Sequence, residues 1–97
     1  MTVGRLTKRE AVIRLRHCLE TGWIDFRPHF FVALADEGLT YEDVRPVLMT
    51  GRVLRAPEWR EGEWRYRIEG AVARGDEVAV VFSFDEDMGI VITTFVL

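Results

Sequence analysis

The residues best suited to chemistry in this chain are an imidazole, several guanidiniums and a strand tyrosine. His29 follows Pro28 at the expected start of a helix, with Arg27 two positions before it. Arg65 and Arg67 alternate along an expected strand and so share one face of it, while Tyr66 between them points to the other. Thr93 lies in the last apolar run. Histidine serves as acid or base near neutral pH, and arginine is the preferred bidentate partner of phosphate. These types suit metal-independent RNA cleavage. That reaction needs a base for the 2′-hydroxyl, an acid for the leaving 5′-oxygen and positive charge on the phosphorane-like transition state. In this reading His29, Arg67 and Tyr66 are the catalytic candidates, and Arg27, Arg65 and Thr93 bind substrate. Structural roles compete at each position. His29 also suits a helix-end hydrogen-bonding residue, Tyr66 a core residue, and the arginines a solvated outer sheet face laid over apolar neighbours.

Other chemistries are excluded by what is missing. Cys18 is the only cysteine, so an intramolecular disulfide and a cysteine-rich zinc site are both ruled out. There is no glycine-rich phosphate loop, no nucleophile elbow and no metal-binding histidine pair, so no metal or cofactor is expected. The run from Asp85 to Gly89 is too short for a calcium loop. His17 and the three tryptophans, Trp23, Trp59 and Trp64, are read as surface, boundary or core residues before base-stacking ones.

The elements that must position these groups follow from periodicity. Thr7 and Glu10 form a capping box for a first helix, with Ala11, Leu15, Cys18 and Leu19 on its apolar face and Gly22 as its stop. A second helix starts at Pro28, with Phe30, Phe31, Leu34 and Ala35 as its buried stripe, and ends at Gly38. A third starts in Thr40–Asp43 and ends at Gly51; Pro46 fits its first turn if the helix proper begins near Asp43, and otherwise implies a kink. Beyond Arg52 the period drops to two. Strands are expected over 52–56, 63–73, 77–84 and 90–96, with turns at Glu61-Gly62 and Gly75-Asp76 and a loop over 85–89. Tyr66, Ile68, Val78, Val80, Phe82, Ile90, Ile92 and Val96 should face the helices; Arg65, Arg67, Ser83 and Thr93 should lie outward among Ala79, Val81, Val91 and Phe95. The echo of Glu58-Trp59-Arg60 in Glu63-Trp64-Arg65 is read as chance. The expected architecture is one α+β domain over 1–97, with a helical half at about 7–50 and a β-meander at about 52–96. Two to three helices would cover one face of a three- to four-stranded antiparallel sheet.

Composition sets the limits of this reading. Ninety-seven residues with 48% apolar content can bury one core. The net charge of −3 argues against a protein that grips nucleic acid over its whole surface. Charge is nevertheless segregated: six arginines fall within 52–74, whereas acid collects at Asp36-Glu37, Glu42-Asp43, Asp76-Glu77 and 85–87. A local anionic-ligand site is compatible with that distribution. No apolar run reaches the roughly 20 residues of a membrane span, and Met1–Arg9 lacks a secretion-signal pattern. With its single cysteine, a cytoplasmic protein with no membrane partner is expected.

Phe26-Arg27-Pro28-His29, then Gly38-Leu39-Thr40-Tyr41-Glu42-Asp43-Val44, then Thr50-Gly51-Arg52-Val53 resembles the domain-of-unknown-function 4258 family. The strands Trp64–Gly70 and Ile90–Thr94 match its pattern as well, so the resemblance covers roughly residues 20–95. The same stretch is more distantly similar to the motility quorum-sensing regulator toxins of the RelE-like superfamily. That resemblance implies helices on one face of an antiparallel sheet, RNA bound on or beside the exposed face, an endoribonuclease activity and a cognate antitoxin. Tyr66 corresponds to those toxins' strand tyrosine. Their C-terminal lysine has no counterpart, since the chain ends Thr93-Thr94-Phe95-Val96-Leu97. A non-catalytic binding module on the same scaffold, with RNA or protein as partner, is the alternative.

Overall fold

The computed structural model describes residues 4–97; the part of the leader reading that concerns residues 1–3 lies outside them. Helix α1 (Lys8–Thr21) begins on the Thr7–Glu10 capping box and stops at Gly22, whose φ of 78° is left-handed. Strand β1 (Ile24–Phe26) leads into α2 (Pro28–Asp36), and α3 (Tyr41–Thr50) follows. Then come β2 (Glu58–Arg60), β3 (Glu63–Ala71), β4 (Glu77–Asp85) and β5 (Met88–Val96). The strands lie in the order β1-β5-β4-β3-β2. The architecture is α+β, as expected, but among the described residues the sheet has five strands and is mixed. β2 through β5 pair antiparallel, whereas β1 runs parallel to β5, with Phe26 opposite Val91. Three residues are too few for a period-two signal, so β1 was not visible in the sequence. Its pairing is set by the crossover through α2, α3 and the remaining strands, a long-range connection of the kind parallel strands require.

Several local expectations are corrected. The strand expected at 52–56 is reduced to one bridge, Arg52 with Glu69; the true edge strand is β2, beyond Pro57. Helix α3 starts within Thr40–Asp43 as expected, at Tyr41, because Thr40 and Asp43 complete a capping box; Pro46 therefore lies in the helix interior and not in its first turn. The loop at 85–89 is a two-residue turn, with Asp85 opposite Met88. In α2 the buried residues are Phe30, Ala33 and Leu34, while Phe31 and Ala35 are exposed.

One core lies between helices and sheet, built from Leu15, Phe30, Leu34, Val44, Leu48, Tyr66, Ile68, Val78, Val80, Phe82 and Val91 with their neighbours. α2 packs along β5, α3 over β3 and β4, and α1 over β5 and β3. A bulge in β5 decides which residues join this core. Val81 pairs with Thr93 but Phe82 with Val91, so Ile92 is the extra residue. The expected faces are therefore exchanged on the N-terminal side of the bulge. Val91 enters the core with Phe82, while Ile90 lies opposite Ser83, outward. Among the described residues no helix is long and apolar enough to cross a membrane.

Candidate functional site

The outer face of the sheet gathers most of the expected site residues. β3 presents Glu63, Arg65, Arg67 and Glu69 there by simple alternation, and the tight turn at Glu61-Gly62 brings Glu61 alongside. Arg65 Nε donates to Glu63 Oε2 at 2.9 Å, and its Nη2 to Glu61 Oε2 at 3.1 Å. Beneath them the buried Ser83 hydroxyl donates to Glu63 Oε1 at 3.1 Å. Glu63 is thus held through both oxygens, whereas Glu61 has one oxygen engaged. Arg67 Nε donates to Glu69 Oε2 at 3.1 Å, and its guanidinium lies 5.4 Å from the Phe95 ring centroid. Both arginine side chains are about four-fifths covered, with exposures of 21% and 20%. They are packed and oriented over the sheet.

The other wall comes from the β1–α2 junction. The Arg27 N–H donates to the Val91 carbonyl at 2.9 Å, extending the β1–β5 ladder and fixing the start of α2 against the sheet edge. Arg27 is the N-cap of α2, Pro28 opens the helix and His29 follows, exposed. Pro28 has no N–H, and the Phe30 N–H donates to the Arg27 carbonyl, so this helix end offers fewer free donors than an ordinary one. Arg27 also makes a loose, half-exposed contact of 3.7 Å with Asp25, a weak pair in solvent.

Two clefts result, with Arg65 as their shared wall. The first, of about 360 Å³, is lined by Arg27, His29, Glu61, Glu63, Arg65 and the outward Ile90 and Ile92. The second, of about 290 Å³, contains Arg55, Arg60, Arg65, Arg67, Thr93 and Phe95 among its walls. Arg27, His29 and Arg65 therefore come together, as do Arg65, Arg67 and Thr93; His29 and Arg67 lie in neighbouring clefts. Tyr66 borders the second cleft between Arg65 and Arg67, but its phenol is turned to the other side of the sheet. Its ring is 2% exposed and stacks on Phe82 at 5.5 Å, and its hydroxyl accepts the Leu6 N–H at 2.8 Å. Strand alternation, with no bulge in β3 to reverse it, puts this phenol on the core side.

The carboxylates of Glu61 and Glu63 were not singled out in the sequence. Their one available signal was spacing: two and four residues from Arg65 across a tight turn, close enough for ion pairing. Elsewhere His17 lines a separate cleft with Arg14, Thr21, Trp23 and Asp87. Cys18 is buried, and burial pushes its thiol above the ordinary value, which suits a core residue and not a nucleophile. No cluster of three or more histidine, cysteine or acidic side chains able to hold a metal occurs among the described residues.

The family model described as Domain of unknown function (DUF4258) matches residues 26–96, which takes in the last residue of β1, helices α2 and α3 with His29, and strands β2 to β5. Neither a curated protein nor a solved structure matches the chain. With about three-quarters of its length matched, the chain belongs to the DUF4258 family.

Proposed function

We propose that the cleft between the start of α2 and β3 binds the phosphodiester of single-stranded RNA and cleaves it without metal, as the distant likeness to RelE-type toxins implies. One observation carries this reading: an exposed imidazole, two guanidiniums and two carboxylates from distant parts of the chain line one small concavity. Glu61, with one carboxylate oxygen not engaged by Arg65, takes the proton of the 2′-hydroxyl as the 2′-oxygen attacks phosphorus and the bond to the 5′-oxygen breaks. His29 gives a proton to the departing 5′-oxygen, leaving a 2′,3′-cyclic phosphate. Arg65 and Arg27 bear the charge that develops on the phosphoryl oxygens. Glu63, pinned by Ser83, orients Arg65. Arg67 and Thr93, in the adjoining cleft, hold the neighbouring nucleotide. Tyr66 has no part, because its hydroxyl is engaged inside the core.

The test is cleavage of single-stranded RNA in excess chelator. Wild-type protein should yield cyclic-phosphate ends, and His29→Ala should slow the reaction by roughly 10²–10⁴-fold, the usual worth of a positioned acid or base. Arg65→Ala should lose both cleavage and binding, with unchanged circular dichroism in each variant. Full activity in both variants would remove the assignment, and a wild type that cuts no RNA would remove the activity. In a cell the same reading predicts growth arrest on expression, relieved by an antitoxin encoded alongside.

A second reading, a binding module without catalysis, is favoured by the ion pairs. Arg65 and Arg67 already hold carboxylates, so an arriving phosphate must displace Glu61 or Glu69. RNA binding that survives His29→Ala with no cleavage in wild type would select it.

A further inference from the structure

The repeated tripeptide proves to be a pairing code. β2 and β3 align antiparallel so that Glu58 faces Arg65, Trp59 faces Trp64 and Arg60 faces Glu63. Reading Glu-Trp-Arg against a reversed Glu-Trp-Arg sets opposite charges against each other on both sides of an indole pair. The rings of Trp59 and Trp64 meet edge to face, 5.2 Å between centroids. The turn between them has positive φ at both Glu61 (50°) and Gly62 (79°), the geometry of the tightest hairpins. In such a hairpin the pair flanking the turn exchanges both backbone hydrogen bonds, and bonded pairs then alternate along the ladder. Arg60 and Glu58 therefore point their backbone groups at β3. Trp59 points its N–H and C=O away, at the open edge.

That edge carries the same code, and among the described residues no strand lies beside it; Glu58 and Arg60, both exposed, make only a loose contact of 3.5 Å with each other. β2 is the last strand of the sheet, all three of its residues are exposed, and Trp59 retains 55% exposure even with Trp64 against it. We infer that β2 pairs with β2 of a second copy of this chain, antiparallel and centred on Trp59. Each Trp59 N–H donates to the partner's Trp59 carbonyl, each Glu58 faces an Arg60 of the other copy, and the two indoles meet at the dyad. The contact is isologous, so it closes as a dimer and does not propagate into fibres. Alternating charge on an edge strand ordinarily repels chance pairing; here it repels a mismatched strand and accepts its own reversed copy. The dyad stands perpendicular to the sheet, so the arginine-lined outer faces of both copies open on the same side of a ten-stranded sheet. Three residues per strand make a small interface, well below that of obligate dimers, so the association is concentration-dependent.

Sedimentation velocity on the full chain from low micromolar to millimolar concentration reads this directly. Wild type should pass from monomer to dimer, and a monomer throughout would overturn the proposal. Glu58→Lys and Arg60→Glu should each weaken self-association by about tenfold or more, since like charges then face each other across the dyad twice. Mixing the two variants should restore dimers, because every facing pair is opposite in sign again in the mixed species; failure to restore them, with both hairpins intact by near-ultraviolet circular dichroism, would sink the idea. Trp59→Pro provides a separate arm. Its missing N–H lies on the open edge, so the internal hairpin pairs at 58 and 60 persist while the dimer is lost; a dimer that survives this change is built on another surface.

Discussion

Gly51 shows how much one residue decides. It ends α3 where the chain crosses β3, and a Cβ there would sit 2.6 Å from the Glu69 carbonyl oxygen and closer still to that of Val47. Its φ of −70° is ordinary, so the constraint is space and not backbone conformation. Both clashing atoms are backbone and cannot swing aside. Gly51→Ala should cost about 3 kcal/mol or more, read as a lower urea midpoint at unchanged slope; a loss below about 0.5 kcal/mol would contradict the close approach. The sequence marked Gly51 as a helix stop, which it is, but the packing demand became visible only when β3 lay against it. The residues of the candidate site divide the same way. The outward placement of Arg65, Arg67 and Thr93 was legible from alternation. Glu61 and Glu63 were not, because carboxylates beside a turn look like ordinary solvated charge until the start of α2 is brought across from them.

Among the elements, α1 and α3 were the easiest to read, since their ends are written in local chemistry. Thr7 and Glu10 exchange hydrogen bonds at 2.9 and 3.1 Å. The Thr7 backbone N–H, which donates to the Glu10 carboxylate, and secondly the Thr7 hydroxyl beside it hold that carboxyl below the ordinary 4.5. A carboxyl depressed in the folded state stabilises above its unfolded value, and that contribution disappears as the pH falls through the folded value. Glu10→Gln keeps an acceptor for the Thr7 N–H but does not titrate. Thermal melts at pH 7 and at pH 3.5 should therefore show a smaller acid-induced fall in melting temperature for Glu10→Gln than for wild type; equal falls would mean the box does not couple to pH. Strands were harder. β1 and β2 are three residues each, and their existence depends on what lies beside them: β5 for the one, the matching tripeptide of β3 for the other. The bulge at Ile92 was equally hidden, because a single extra residue exchanges faces without altering the alternating pattern that announces a strand.

Over the whole molecule, the first described residues are tied to the sheet by a buried phenol, by Leu6 packing on the core and by Arg5 lying over the Trp64 ring. Tyr66 Oη accepts the Leu6 N–H across 60 positions of sequence. Tyr66→Phe leaves that amide without its acceptor and should cost about 1–2 kcal/mol, with faster hydrogen exchange at Leu6. Unchanged exchange would show that the segment is held by other contacts. The same bond turns a tyrosine suited in type to catalysis into a strut. Periodicity, capping residues and glycine stops were enough to determine that this chain makes three helices and then an antiparallel run of strands, because those signals act between residues a few positions apart. Which residues face one another was decided only by the tertiary structure. The parallel pairing of β1, the side of the sheet taken by Ile90 and Val91, and the meeting of His29 with Arg65 all join positions far apart in the chain. Spacing along a sequence carries no record of such contacts; they arise when one shared core selects a single register for every strand at once.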